Sequence, residues 1–264
     1  MGFAERLRAE LAWDGFPGRV GFAAWALDER EPVLVGAERV VRAASTIKVL
    51  VMITALRAVC SGRIGLDTEV ELPAERVGGS GVLRELPSVR RISLRDLVTL
   101  MIIISDNAAT NAVIDVVGLD AIRDCAADLG CTDTRVERRL MDVDAPGRNV
   151  TTALDQARVL DALARGAALP PDLTDHALGV LARQQVRDRL PALLPEGARC
   201  WNKTGELEGL RHDVALIGTD RPRAVVAVLV DELTDERSAR GSRGGPACDA
   251  IAELGRAVYR SLAR

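Results

Sequence analysis

Lysine is scarce in this 264-residue sequence: its 35 basic residues include only Lys48 and Lys203, and all the others are arginine. Lys48 lies in AASTIKVLVMITAL, residues 43–56, an otherwise apolar run that predicts a buried helix. Burying a charged amine is costly unless the charge finds a partner. A chain that uses arginine almost everywhere else therefore has a specific reason to keep an amine at position 48.

Other absences exclude several classes of site. Only two histidines occur, and no G-x-S-x-G sequence is present, so a Ser-His-Asp hydrolase is not favoured. His176, on a polar helix start, is expected to be exposed and is a weak catalytic candidate. No P-loop or G-x-G-x-x-G sequence opens a helix after a strand. The five cysteines form no C-x-x-C pair, so we expect no metal site and no cofactor.

Charge and hydropathy exclude two kinds of partner. The basic residues are matched by 38 acidic ones, and the net charge of −3 does not indicate nucleic-acid binding. No apolar run approaches the length of a membrane span. The first residues lack a basic segment followed by an apolar one, so we expect no signal peptide and a cytoplasmic protein with reduced, mostly buried cysteines. A misassigned start would instead allow secretion. We expect a monomer that acts on a small molecule.

Strands are predicted near both ends of the chain. Residues 3–13 have apolar side chains at helical spacing, and segments 19–28 and 31–38 have the pattern of a β-hairpin. Near the other end, three consecutive strands are predicted in ARCWNKTGEL, LRHDVALIG and RAVVAVLVDEL. A polar loop at 235–247 and a last helix follow.

Residues 45 to about 192 have the helical period instead. Ser93 is a candidate N-cap, and Gly118 and Gly130 are candidate C-caps of two further helices. The arrangement predicts an α+β fold, with one antiparallel sheet built from both chain ends and flanked by the terminal helices. A mostly helical subdomain, 45–192, is inserted into an α/β subdomain formed by 1–44 and 193–264.

Ser45 and Lys48 are three residues apart at the start of a predicted helix, so their side chains share one face about one turn apart. A serine hydroxyl is a weak nucleophile and needs an adjacent base. Lysine can be that base when burial and nearby positive charge lower its pKa, whereas arginine stays protonated. The structural alternative is that Ser45 caps the helix and Lys48 extends to solvent.

Two further polar motifs accompany this pair. ISDNAATN places Ser105 and Asn107 in a polar break between two apolar helices. NKTGEL places Lys203, the only other lysine, with Thr204 and Gly205 on a predicted strand. Taken singly, the first motif favours a helix N-cap and the second an exposed strand. Three motifs in this order, using both lysines, favour a catalytic site.

On these motifs the chain resembles the penicillin-recognising serine hydrolases, and most of all the class A β-lactamases. The resemblance covers nearly the whole chain, including the predicted β-lactamase-like layout of sheet and helical insert. It implies that Ser45 is the acylated nucleophile and that Lys48 is its base, directly or through water. Ser105, helped by Lys203, would pass a proton to the leaving nitrogen.

The resemblance also implies how a substrate is held. The substrate-binding residues that it implies are Asn107, Thr204, Gly205, Glu206 and Arg211. Asn107 would bind the amide side chain of the substrate, and Thr204 its carboxylate. The backbone N–H groups of Ser45 and Glu206 would form the oxyanion hole. Arg211 is a candidate carboxylate ligand, and its alternative is an ordinary arginine on the face of a strand.

Release of the acyl group involves a different segment. In class A enzymes a glutamate in an omega-shaped loop activates the hydrolytic water, and the matching segment here is RVERRLMDVDAPGRN, residues 135–149. Glu137 falls where that glutamate should be; its alternative is a solvated glutamate between arginines. If the register of the loop differs, Asp142 or Asp144 would serve instead.

Three residues depart from the class A pattern. Met141 occupies the place of an asparagine that helps to hold the water, and Asn149 that of an aspartate that would pair with Arg135. Glu206 follows the KTG motif, where the family usually has a small residue. An acid there places negative charge beside a carboxylate-binding site, which indicates an atypical substrate.

The sequence therefore predicts a serine hydrolase that forms an acyl-enzyme with an amide, and β-lactam ring hydrolysis is the leading interpretation. D-alanyl-D-alanine peptidase, esterase or transacylase activity on the same scaffold is the first alternative. An acyl-accepting sensor that traps β-lactams without turnover is the alternative from another functional class. No metal or organic cofactor is implied.

Overall fold

The computed structural model describes residues 1–29, 31–233 and 244–262. The strands are β1 (Arg19–Ala26), β2 (Val33–Val35), β3 (Val41–Arg42), β4 (Glu69–Glu71), β5 (Arg91–Ser93), β6 (Val150–Thr151), β7 (Arg199–Leu207), β8 (Leu210–Gly218) and β9 (Pro222–Asp231). The α-helices are α1 (Phe3–Glu10), α2 (Lys48–Cys60), α3 (Leu94–Ile103), α4 (Asn107–Val117), α5 (Leu119–Asp128), α6 (Ala153–Ala164), α7 (Pro171–Leu181) and α8 (Pro246–Leu262). Most of the loop predicted at 235–247 lies outside the described residues.

One antiparallel sheet joins the two ends of the chain, as the segregation of strands predicted. Its order is β2-β1-β9-β8-β7, so the first two strands lie beside the last three. The pairing of β1 with β9 runs from Arg19 opposite Asp231 to Ala26 opposite Ala224. The α+β fold class is therefore confirmed, whereas the subdomain boundaries at 44/45 and 192/193 stay predictions.

Both faces of the sheet are covered, and the side chains alternate between two cores. In β1, Phe22 and Ala24 pack in the core with Phe3, Leu7 and other residues of the terminal helices. Ala23, between them, packs in the core formed with α2, α3 and α6. Because successive side chains of a strand point to opposite faces, this alternation gives β1 and β9 nearly continuous apolar sequences.

The first helix is shorter than its apolar spacing predicts. α1 ends at Glu10, and Leu11 is already extended, with φ −81° and ψ 130°. Trp13, at the end of the predicted helix, instead lies against Phe22, with ring centroids 5.4 Å apart. The residues predicted to form the last helical turn are instead not helical, and they place Trp13 against the sheet.

The inserted helices surround α2, which has ten buried residues among its 13. The Ser93 side chain accepts a hydrogen bond from the Asp96 N–H and caps α3, as predicted. Gly118 and Gly130, with φ +82° and +75°, follow α4 and α5. None of the helices within the described ranges is both long and apolar enough to cross a membrane.

Two helical glycines are predicted to respond in opposite ways to alanine. A Cβ at Gly255 in α8 would lie 2.2 Å from the Leu190 carbonyl oxygen, whereas one at Gly179 in α7 meets nothing within 4 Å. Gly255→Ala should lower the free energy of unfolding by about 1–3 kcal/mol through overpacking. Gly179→Ala should raise it by about 0.5–1 kcal/mol through helix propensity. Urea unfolding measures both, and an equal effect of the two substitutions would contradict the close contact.

Candidate active site

Ser45 and Lys48 lie at the junction of two helices. A short 3-10 helix, Ala44–Ile47, leads directly into α2, of which Lys48 is the first residue. Ala44 has φ +47°, in the left-handed region, so the chain turns sharply before Ser45. Lys48 is fully buried and Ser45 is half-buried. Among the described residues the Ser45 hydroxyl has no hydrogen-bond partner.

The amine of Lys48 brings two of the three predicted motifs together. Its Nζ lies 2.8 Å from the Ser105 carbonyl oxygen, 3.0 Å from Ser105 Oγ and 2.8 Å from Asn107 Oδ1. A neutral amine has only two N–H groups, so in that state the Ser105 hydroxyl can donate to it. Asn107 Nδ2 donates to the Gly78 carbonyl oxygen at 3.0 Å, so both ends of this amide are engaged. The solvent-exposed alternative for Lys48 is excluded.

Both lysines have lowered pKa values. Burial lowers the pKa of Lys48 well below its usual value, and the charge of Lys203 lowers it further, while Asp106 opposes the shift. Burial lowers the pKa of Lys203 to about 7; Arg189 adds to this shift, whereas Asp213 and Glu206 oppose it. Desolvation favours the neutral form of both amines, and a neutral amine can accept a proton. Arginine could not take this role.

The backbone of the polar break is held by Asp106, in line with the helix N-cap that the first motif favours when taken singly. Asp106 is the N-cap of α4, and its Oδ1 accepts from the Ala109 N–H at 2.9 Å. Its Oδ2 accepts from the N–H groups of Val82 and Leu83 at 2.7 and 2.8 Å. Ser105, just before it, has φ +59°. The motif therefore supplies a helix N-cap and, at the same time, two partners of Lys48.

The KTG motif lies on β7 against the turn that carries Ser45. Lys203 is fully buried, and its Nζ donates to the Thr204 carbonyl oxygen at 2.8 Å. A Cβ on Gly205 would lie 3.3 Å from the Ser45 nitrogen and 3.2 Å from the Ala44 Cβ. The glycine therefore lets the strand approach the backbone N–H predicted to stabilise an oxyanion. The exposed-strand alternative for this motif is excluded.

Arg189 is a buried residue that no sequence motif indicated. Its Nη1 donates to the carbonyl oxygens of Gly205, at 3.3 Å, and His212, at 2.9 Å. Its Nη2 donates to Glu206 Oε2 at 2.5 Å. The guanidinium thus lies beneath the KTG strand and pairs with the acid that departs from the family pattern. Arg189 lies before β7 in a segment without regular secondary structure, where the spacing of apolar residues does not indicate which side chains are buried.

Arg211 is fully buried, and its Nη1 donates to the carbonyl oxygens of Leu207, at 3.3 Å, and Leu210, at 2.7 Å. This placement beneath the hairpin does not favour direct contact with a substrate, and the carboxylate-binding role stays a prediction. His212, also buried, accepts from the Val230 N–H through Nδ1, so its Nε2 donates to the Arg42 carbonyl oxygen at 2.9 Å. Burial lowers the pKa of His212 to about 4.

The predicted acyl-release residues lie in the 135–149 segment. Glu137 is exposed, and its Oε2 accepts from the Arg148 N–H at 2.6 Å. A Cβ on Gly147 would lie 2.6 Å from the Glu137 Cβ, so the side chain packs across the loop. Asp142 and Asp144 are exposed as well, and Asp142 Oδ1 accepts from the Ala145 N–H at 3.3 Å. The role of each carboxylate in acyl release stays a prediction.

Asn149 holds the 135–149 segment without an ion pair. Its Oδ1 accepts from the N–H groups of Glu137, at 2.9 Å, and Arg138, at 3.3 Å, and its Nδ2 donates to the Arg138 carbonyl oxygen at 2.9 Å. Arg135 Nη1 instead donates to the Thr132 carbonyl oxygen at 3.4 Å. An amide, which both donates and accepts, can bind a backbone in this way, whereas an ionised aspartate can only accept.

Met141 lies near the polar break and is half exposed. Its φ is +62°. A Cβ placed on Gly79 would lie 3.8 Å from both the Sδ and the Cε of Met141, and 2.7 Å from Asn107 Nδ2. The residue before Met141 is fixed, because the Asn111 amide accepts from the Leu140 N–H at 2.8 Å and donates to the Leu140 carbonyl oxygen at 3.0 Å. The Met141 thioether and the Asn107 amide thus both lie close to Gly79.

Two expectations on histidine and cysteine need correction. His176 is half-buried on α7, not exposed, because it packs within the helical part of the chain. All five cysteines are free thiols, but Cys60, at the end of α2, is exposed and Cys131 is half-buried. Within the described ranges, no three His, Cys, Asp or Glu side chains are grouped to hold a metal ion.

Comparison with known proteins identifies the family and the fold. A model of the family described as "Beta-lactamase enzyme family" matches residues 2–262. A β-lactamase from Sphaerobacter thermophilus is 35% identical with a TM-score of 0.84, over 98% of this chain and 96% of that one. A mutant of PBP-A, solved as an acyl-enzyme complex with penicillin G, is 25% identical with a TM-score of 0.84, over 98% and 96%. A mutant class A β-lactamase of the last common ancestor of Gram-negative bacteria is 26% identical with a TM-score of 0.84, over 98% of both chains.

Replacing Lys203 by methionine should change how stability depends on pH. Since the folded-state pKa is about 7 and the unfolded one about 10.4, the unfolded chain binds an extra proton between these values. The parent therefore gains stability as pH rises through this window. The stability of Lys203→Met relative to the parent should accordingly fall, by up to about 1.4 kcal/mol per pH unit.

Urea unfolding at several pH values between about 7 and 10 measures this difference. Arg199→Met, at an exposed position on the same strand, is the control, because arginine stays charged in both states. Parallel stability curves for Lys203→Met and the parent would show that Lys203 is not a depressed amine.

Proposed function

The chain belongs to the β-lactamase enzyme family and is a hydrolase of the β-lactamase type, and from this premise we propose that it opens β-lactam rings by transferring their acyl group to Ser45. The observation that carries the proposal is the environment of Lys48. The amine is fully buried, begins the helix that follows Ser45, and lies 3.0 Å from the Ser105 hydroxyl. Such an amine can accept a proton from one serine and supply one through the other.

Acylation would begin with proton transfer from Ser45 to the neutral amine of Lys48, directly or through water, as Ser45 Oγ bonds to the carbonyl carbon. The oxyanion would accept hydrogen bonds from the N–H groups of Ser45 and Glu206. The ring C–N bond then breaks, and its nitrogen takes the proton of the Ser105 hydroxyl. Lys48 returns its added proton to Ser105, so the acyl-enzyme forms with both side chains in their starting states.

Lys203 would assist this exchange without taking the first proton. Its positive charge lowers the pKa of Lys48, so protonation of one lysine favours the neutral form of the other. Lys203 and Thr204 would also contact the part of the substrate beside the scissile bond. Asn107 would reach the amide side chain of the substrate, in exchange for its present contact with the Gly78 carbonyl oxygen.

A second candidate function is transfer of the acyl group to an acceptor other than water, or its retention on Ser45. Two features favour it: the Glu137 carboxylate is bound to the Arg148 N–H, and Met141 occupies the place where the class A resemblance implies an asparagine that helps to hold the water. A thioether is only a weak hydrogen-bond acceptor. The PBP-A mutant is a similar protein whose structure is an acyl-enzyme complex with penicillin G.

Ser45→Ala should abolish turnover of a chromogenic cephalosporin and any mass increase of the protein, because the attacking oxygen is absent. Lys48→Arg should lower the acylation rate at least about 100-fold, since general base catalysis contributes roughly 10²–10⁴-fold and arginine cannot accept the proton. Absorbance and intact-mass spectrometry, followed together, separate rapid hydrolysis from a stable adduct.

Arg57→Lys, which changes a basic residue in the last turn of α2, is the control for the lysine substitution and should keep the parent rate. Rapid acylation of Lys48→Arg would refute the base role. Absence of both an adduct and turnover in the parent would refute the β-lactam proposal and leave esters or peptides as substrates.

Glu137→Gln should leave acylation of Ser45 unchanged and slow release of the acyl group at least about tenfold, because the amide cannot take a proton from water. Glutamine can still accept the Arg148 N–H, so the loop should keep its structure. The decay of the Ser45 adduct, followed by intact mass, gives the release rate.

Asp142→Asn and Asp144→Asn are the matched variants on the same loop. Slow release in one of these, with normal release in Glu137→Gln, would assign the base to that aspartate. Release at the parent rate in all three variants would contradict hydrolysis assisted by a carboxylate of this loop.

A further inference from the structure

Glu206 places a carboxylate at the edge of the site where a carboxylate of the substrate was expected to bind. Its side chain is 43% exposed at the end of β7. It follows Thr204 and Gly205, and its charge is close enough to raise the pKa of Lys203. On a strand, residues two apart point to the same side, so Thr204 and Glu206 share one face of β7.

The position of this carboxylate is fixed from beneath by Arg189. Arg189 is fully buried and cannot turn toward a ligand. Its Nη1 is bound to the Gly205 and His212 carbonyl oxygens, and its Nε lies 3.6 Å from Asp188 Oδ1. Its Nη2 donates to Glu206 Oε2. Glu206 thus has a hydrogen-bond partner and a compensating charge on its buried side, and the guanidinium is not available to an anionic substrate.

A negatively charged group of the substrate beside its scissile bond would therefore be repelled at this edge of the site. It would approach the like charge of Glu206, and the arginine beneath is already paired. Lys203 is protonated only in part at neutral pH, because its pKa is about 7. A neutral group at the same place meets no such repulsion, and a cationic group would be attracted by the exposed carboxylate.

We propose that Glu206 is a specificity-determining residue that disfavours acyl compounds with a carboxylate beside the scissile bond and selects compounds that are neutral or cationic there. This inference rests on the proposed acylation of Ser45. Held by Arg189, the Glu206 carboxylate occupies the edge of the site where the carboxylate of a substrate was expected to bind. The natural substrate is accordingly an ester, amide or amine at the position where a penicillin has its carboxylate.

Penicillin G and its methyl ester test the inference, because they share the reactive ring and differ only in this carboxylate. The second-order rate of Ser45 acylation is measured for each by intact mass. The parent should react at least about tenfold faster with the methyl ester than with the acid, a ratio equivalent to roughly 1.4 kcal/mol. Glu206→Gln, which can still accept from Arg189, should reduce this ratio at least about tenfold.

Glu208→Gln is the matched control, because it removes the same charge from an exposed residue of the same hairpin and should leave the ratio unchanged. Equal rates for acid and ester in the parent, or an unchanged ratio in Glu206→Gln, would overturn the inference while the proposed function stands. If neither compound acylates Ser45, the proposed function fails and the inference fails with it.

Discussion

The buried amine of Lys48 is the constraint on which the arrangement of the site depends. α2 is almost entirely apolar and enclosed, so the amine must find its partners outside that helix. The partners are Ser105 and Asn107, on the break between α3 and α4. The need to satisfy one amine therefore fixes that break against the first turn of α2, next to the turn that carries Ser45.

The same requirement explains the unusual backbone around Ser105. A left-handed serine is unfavourable by itself, and it persists where surrounding contacts over-determine it. Asp106 supplies those contacts by capping α4 and by binding the N–H groups of Val82 and Leu83. Ser105 can then present both its carbonyl oxygen and its hydroxyl to Lys48. One acidic residue thus stabilises the geometry that the amine uses, without touching the amine itself.

The sequence predicted what periodicity and residue chemistry determine, and missed what depends on tertiary contact. The sheet followed from strands at both ends, and the scarcity of lysine singled out Lys48 and Lys203. Arg189 carried no signal, because its partners are a carboxylate and two carbonyl oxygens on strands far along the chain. The contact of Trp13 with Phe22, just beyond the end of α1, likewise depends on packing against the sheet. Contacts of this kind depend on how side chains pack in the folded protein, and the spacing of residues along the sequence does not reveal them.

The two main departures from the class A pattern act on different steps of the proposed reaction. Glu206, held by Arg189, changes the field in which a substrate binds, so its effect is on recognition before Ser45 reacts. Met141, which occupies the place of an asparagine that helps to hold the water in class A enzymes, would act on the step at which water meets the acyl-enzyme. An enzyme that only hydrolysed anionic β-lactams would gain from neither change. Their presence together favours a neutral or cationic acyl compound whose acceptor need not be water.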